Sequence, residues 1–400
     1  MITYPNIDWN KLRSDRRIRV AQLMKELNLD HILLQGYDNI RYATDFRAQF
    51  VTDSYEWFLA LVDDQAESTL FVGYLGEDIE SPDPNRPWIK RQLAVPCFNP
   101  IWANLPIWIK LIVSEIRREN VKRIGVELLN FEVYEALKKE LPDVEFVPVA
   151  NELLKIRETK TLEEIQLLET SSEILSLAFA TATSQATEGM IDREIASILA
   201  KTIHASCGEM VAHNLIGVFP IQALTDPRLP QGDFSFYAQG QRLWGGMSVE
   251  VDFGVTGPGG YHSDMARHWF INEPPAAVQK AWNGLLEAYR FGIDQAKPGM
   301  KISTIAKNIN STLKKLELPE TLISMGHGIG LRIAEAPFIN SPEMMSEDKE
   351  LLKGMTICIE PETLVDINGA PFYLKVEDVF VVEENGLRNL SRCGYSLESP

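Results

Sequence analysis

The segment Gly246-Met247-Ser248-Val249-Glu250-Val251-Asp252 returns as Gly354-Met355-Thr356-Ile357-Cys358-Ile359-Glu360, with an acid six residues after the glycine each time. Upstream, Gly189-Met190 with Ile195-Ala196 matches Gly299-Met300 with Ile305-Ala306, each pair opening a helix-patterned stretch about 60 residues before its acid. Self-similarity at this scale constrains the chain to two related half-units, each a helix region followed by a β-hairpin.

Both hairpins carry paired acids. In the first, Val249, Val251 and Phe253 alternate with Ser248, Glu250 and Asp252, which puts Asp252 on the polar face. A turn at Gly257-Pro258-Gly259-Gly260, centred near Pro258, places Asp252 and Asp264 six residues to either side. They are expected as direct cross-strand neighbours, with Cβ atoms roughly 5 Å apart. In the second, Asn368-Gly369 supplies a two-residue turn of the kind that accepts positive φ at both positions. Counting outward, Ile367 opposes Ala370 and Glu360 opposes Glu377.

Two bare carboxylates so close repel, so a fold keeps such a pair only with a shared proton, a cation or a metal. His327, in SMGHGIGLRIAEAP, adds a fifth candidate ligand, and its flanking glycines are expected to let backbone approach an ion closely. Four carboxylates and one imidazole suit two divalent ions, with manganese, cobalt, zinc or iron favoured over a thiolate-type site.

The order Asp252, Asp264, His327, Glu360, Glu377, with GHGIGL, IEP and VED around the last three, resembles the pita-bread metallopeptidases of the prolidase, aminopeptidase P and creatinase branch. The resemblance covers nearly the whole chain. It implies an α/β creatinase-like (ribonuclease-H-like) amino-terminal domain over residues 1–155 and an α+β pita-bread catalytic domain over 156–400, built from the two helix-hairpin halves. It further implies a dinuclear metallohydrolase of Xaa-Pro dipeptidase or aminopeptidase type. The five residues would hold the metals, a metal-bridging hydroxide would attack, and Glu360 would serve as general base with His327 beside it. A homodimer is implied too, because such amino-terminal domains reach over the partner's active site.

Departures from the pattern open other readings. The peptidase members carry a histidine near where this chain reads FSFYAQG, and a second at the position of Ala334, where the usual HE-x-P is here Ala334-Glu335-Ala336-Pro337. Removing one transition-state donor of this kind typically costs about 10²–10³ in rate. The twelve-residue spacing from Asp252 to Asp264 is one more than in most peptidase members, and the GP-x-GY form of the turn looks more like a lyase branch of the fold. That branch, however, has acids where this chain has Gly254 and Ala334. The alternatives are a metal-dependent small-molecule C–N hydrolase or lyase, and a metal-binding protein without turnover. His262 and His268 share a strand face with Asp264 and are read as ordinary packed or exposed histidines.

A formal charge of −17 without a basic cluster argues against nucleic acid, and the absence of a long apolar run argues against a membrane span. Cys97, Cys207, Cys358 and Cys393 show no metal or disulfide spacing and are read as reduced, mostly buried thiols. Without an apolar leader region, a cytoplasmic location is expected.

Along the chain, helices are expected over 9–27, 107–120, 131–141, 192–205, 276–295 and 302–316, with a further helix behind a capping box at Thr161 and Glu164. HILLQ, WFLALV, STLFVGYL, RIGVEL and VEFVPV are read as strands. Trp57, Trp88, Trp102 and Trp108 crowd the first domain and are read mainly as core. His204 is expected to pack against its helix, His213 is left open, and residues 217–243 read as one long loop.

Overall fold

The structure, a computed structural model, describes residues 2–47, 57–73, 86–95, 100–118, 120–220, 240–321, 324–367 and 369–397. Most of the FSFYAQG segment, Cys97 and Asn368 lie outside them. The chain divides into two compact units, Asp8–Arg157 and Met1–Ile7 with Glu158–Pro400.

The first unit begins with α1 (Trp9–Leu27), where the Asp8 carboxylate accepts the Lys11 amide and Asn28 ends the helix in the left-handed conformation. Such an end is natural for asparagine, whose short polar side chain tolerates positive φ. There follow β1 (His31–Leu34), α2 (Tyr37–Thr44), β2 (Phe58–Asp63), β3 (Ser68–Gly73), β4 (Arg91–Val95), α3 (Leu105–Arg118), β5 (Arg123–Val126), α4 (Phe131–Glu140), β6 (Glu145–Pro148) and α5 (Ala150–Glu158). The six strands form one mixed sheet in the order β4-β3-β2-β1-β5-β6. Trp108, Ile112 and Ile116 of α3 pack with Leu33, Leu59, Phe71 and Ile124 of the sheet. Trp102 is instead exposed.

The second unit runs α6 (Leu162–Gln185), α7 (Asp192–Ala205), β7 (Met210–Pro220), β8 (Met247–Thr256), β9 (His262–Phe270), α8 (Ala276–Gln295) and α9 (Ser303–Lys315), then β10 (Gly326–Gly328), β11 (Glu335–Ile339), β12 (Thr356–Ile359), β13 (Glu362–Ile367), β14 (Ala370–Lys375), β15 (Asp378–Glu383) and β16 (Gly386–Asn389). The capping box at Thr161 and Glu164 starts α6.

The duplication is built into the backbone. The Gly189 amide bonds to Leu243 O at 2.8 Å and the Gly299 amide to Leu351 O at 2.8 Å; the return bonds run from Leu243 to Met190 and from Leu351 to Met300. Gly189 and Gly299 both have positive φ, as do Gly246 and Gly354 at the entries to β8 and β12. Each half has its own core, Phe179, Val249, Val251 and Trp269 in one and Trp282, Leu285, Ile305 and Phe380 in the other.

Several expectations are corrected. Residues 217–220 are strand, because β7 pairs with β8 as far as Pro220↔Met247. His204 is exposed on α7. The first hairpin turns about Gly259, one residue later than expected, since Thr256 pairs with His262. Asp252 therefore opposes Ala266, and Asp264 opposes Gly254. The two acids are diagonal neighbours on one face, a step further apart than a direct pair. In the second hairpin, Glu362↔Lys375 and Ile359↔Asp378 keep one register across the break at Pro361, so Glu360 lies across from Glu377.

Candidate metal centre

An isolated bridge joins Ala266 of β9 to Glu377, with the Glu377 amide donating to Ala266 O at 3.2 Å. Arg267 fastens this junction from behind. Its guanidinium donates to the Glu377 and Ala266 carbonyls and to Asp378 Oδ1 at 2.5 Å. Tyr289 and Tyr395 each donate to Asp378 Oδ2 at 2.7 Å, so the buried ion pair is fully hydrogen-bonded.

The two hairpins thus bring Asp252, Asp264, Glu360 and Glu377 together with His327 from β10. His327 Nε2 stands 4.0 Å from Asp264 Oδ2, 3.7 Å from Glu360 Oε1 and 3.9 Å from Glu377 Oε1. Those separations are too long for hydrogen bonds, yet they match atoms sharing one ion at about 2.0–2.2 Å each. His327 Nδ1 donates to Gly328 O at 3.0 Å, which leaves the Nε2 lone pair to point at the carboxylates. Glu377 Oε1 is buried without a hydrogen bond, and Asp264 Oδ1 and Glu377 Oε2 are buried with His213 Nε2 and Lys375 Nζ beside them, each at 3.2 Å. Glu377 Oε1, facing the imidazole lone pair beside Asp264 Oδ2 and Glu360 Oε1, completes a donor set for a divalent cation, so the residues fit a metal.

The glycines beside His327 act differently from expectation. A Cβ on Gly326 would lie 2.1 Å from Cys358 O, and one on Gly328 would lie 2.2 Å from Ala336 O. They let the neighbouring strands approach β10, which fixes the imidazole rather than admitting an ion to backbone.

Two residues at the site carry no motif. Lys375 Nζ lies 2.7 Å from Asp252 Oδ2, 2.8 Å from Glu360 Oε2 and 3.2 Å from Glu377 Oε2. Burial alone would pull its pKa down, but Asp252, Glu377 and Glu360 outweigh burial and hold it well above the ordinary lysine value. His213, on β7, places Nε2 2.8 Å from Asp252 Oδ1 and 3.2 Å from Asp264 Oδ1. Burial opposes its protonation, yet Asp264 and Asp252 raise its pKa to about 11. Asp252 is pushed up by burial but held well below the carboxylate range by Lys375 and His213. A sequence signal existed for Lys375, since a residue two before Glu377 shares its strand face. For His213 there was none.

Behind the site, burial first and then the Asp252 charge lift Glu250 to about 8. His268 lies 3.7 Å from Glu250 but forms no ion pair with it. Its Nε2 accepts the Lys375 amide at 3.0 Å, and burial together with Lys375 lowers its pKa to about 3. His262 is held by Thr256 and Gly330, so both strand histidines are packed. Cys358 is buried, and Cys207 and Cys393 are half-buried free thiols. Ala334 is exposed, and Glu335 beside it pairs with Lys160 at 2.9 Å.

Residues 16–159 match the Creatinase/Prolidase N-terminal domain. The chain is 25% identical over 385 residues to a Xaa-Pro dipeptidase of Pyrococcus furiosus, covering 96% of this chain and 99% of that protein. A creatinase of Bacillus sp. (strain B-0618) is 22% identical over 399 residues, covering 96% and 91%. The solved Xaa-Pro dipeptidase of Bacillus anthracis superposes with a TM-score of 0.78 at 21% identity, covering 96% of this chain and 99% of that one. The matched folds agree with the creatinase-like and pita-bread architecture. Residues 166–384, more than half of the chain and the stretch that supplies every carboxylate of the cluster, match metallopeptidase family M24, and the chain belongs to that family.

Proposed function

We propose that the chain is a metal-dependent hydrolase of Xaa-Pro dipeptidase type, with Asp252, Asp264, His327, Glu360 and Glu377 holding two divalent ions. The observation that carries this reading is Glu377 Oε1, buried without a hydrogen bond and 3.9 Å from the His327 Nε2 lone pair, beside Asp264 Oδ2 and Glu360 Oε1. A dipeptidase relative aligned over 96% of the chain supports the substrate class.

Bound ions would lower the pKa of the attacking water and polarise the scissile carbonyl. Glu360 is half-buried at the edge of the cluster, and it takes the water's proton and returns it to the leaving nitrogen as the C–N bond breaks. Lys375 fixes Glu360 Oε2 and Asp252 Oδ2 and offsets part of the fourfold negative charge. His327 keeps its ring orientation through Gly328 O. We also read the chain as a homodimer, a reading supported by the exposed Trp102 and Phe131 on the amino-terminal unit.

A second reading, a small-molecule C–N hydrolase or lyase, is favoured by Ala334. That position has no donor for a peptide carbonyl, and the creatinase relative aligns over nearly the same length. Manganese-loaded parent and Ala334→His proteins should therefore be assayed against Xaa-Pro dipeptides, amide-bearing osmolytes and dimethylsulfoniopropionate. The dipeptidase reading expects slow parental cleavage of Xaa-Pro, rising in Ala334→His by at most about 10²–10³. Turnover of an osmolyte with no peptide cleaved by either protein would end that reading, and silence across the panel would favour a protein without turnover.

A further inference from the structure

The position across the strand pair from Gly254 holds an imidazole that no ligand pattern assigns. Strand β7 loses register with β8 between Val211 and His213, and His213 then pairs with Gly254. Irregularities of this kind re-aim a side chain. A Cβ on Gly254 would meet His213 Nδ1 at 2.5 Å and Ile333 Cδ1 at 2.9 Å. The glycine thus leaves a slot, and the imidazole fills it with Nε2 directed at both aspartates of the first hairpin. His213, Asp252 and Asp264 each offer one donor atom to a common point, and the 2.8 and 3.2 Å from Nε2 to the two aspartate oxygens are separations that donors at about 2.0–2.2 Å from one ion can adopt.

We propose that His213 is a metal ligand, binding through Nε2 the ion that Asp252 and Asp264 hold. The proposal rests on the reading of the cluster as a metal centre and extends it. Each half of the duplicated unit then supplies one imidazole, His213 from the first and His327 from the second. The added nitrogen donor shifts the Asp252–Asp264 position away from an all-oxygen site, towards zinc, cobalt or iron relative to manganese.

The rival account makes His213 only a counter-cation that neutralises the two aspartates, and the two accounts predict opposite signs. A ligand assists the metal, whereas a counter-cation competes with it. Cobalt or zinc titrated into the chelator-stripped protein should therefore bind at least about 10²-fold more weakly at one position in His213→Ala and His213→Gln. Gly254→Ala, which keeps the imidazole but crowds its slot, should move affinity in the same direction. X-ray absorption of the loaded parent should count two imidazoles per protein, and His213→Gln should lose one. Unchanged or tighter binding in the His213 variants, with an unchanged imidazole count, would overturn the proposal and leave the metal centre intact. A parent that binds no divalent ion would overturn both.

Discussion

Glu360→Gln is expected to lower kcat by about 10²–10⁴, the span usual for a positioned general base, with KM changed far less. The amide keeps the size of the side chain and an oxygen that can still accept from Lys375 Nζ, now 2.8 Å from Glu360 Oε2. The variant should therefore fold nearly as well as the parent. Asp252→Ala should not, because it strips His213 and Lys375 of a shared partner at 2.8 and 2.7 Å. Parallel kinetics and denaturant titrations on the two variants separate loss of proton transfer from loss of architecture. Full activity in Glu360→Gln would remove Glu360 from the proton path.

Lys375→Met is expected to destabilise the chelator-stripped protein by about 3–5 kcal/mol at neutral pH, because it leaves buried carboxylates without their cation. The deficit should depend on pH. Without the ammonium, the pKa of Glu377, already raised by burial, climbs further and Asp252 loses its largest lowering influence, so the variant's native state binds more protons than the parent's. Stability relative to the parent then falls as pH rises. The variant should come closest to the parent near pH 5 and lag furthest near pH 8. A bound divalent ion supplies the missing charge and should narrow the gap. Equal urea midpoints for parent and variant in chelator across that range would contradict this role.

Local periodicity and repetition exposed most of the architecture. The period-two runs, the capping box at Thr161 and the glycine-marked half-units are signals carried within a few residues, and helices such as Asp192–Ala205 stand where their apolar faces and flanking residues put them. Pairings between distant segments were harder to read. Strand β7, MVAHNLIGVFP, has no clean alternation, because its conformation is set by ten-residue pairing with β8. Its histidine therefore arrived unannounced at the aspartates. The one-residue shift in the first hairpin arises because the turn runs on to Tyr261, with Gly259 and Gly260 both at positive φ, so that its centre falls on Gly259 and not near Pro258.

The candidate ligands were legible because each sits in a short motif, and they converge through the junction of Ala266 with Glu377. Lys375 was readable only in retrospect, from its shared strand face with Glu377. The missing acid at Gly254 looked like a simple departure from the lyase pattern. In the structure it is the slot for His213.

The central claim is that this carboxylate and imidazole cluster is a metal centre, and thermal unfolding of chelator-stripped protein with elemental analysis tests it most directly. Adding manganese, cobalt or zinc should raise Tm with ion concentration by mass action, about 2.7 kcal/mol of stabilisation at a hundredfold excess over Kd. Asp264→Asn, which removes one negative charge from the oxygens facing His327, should abolish most of the shift. A protein that contains no metal as purified, and whose Tm no divalent ion moves, would contradict the account.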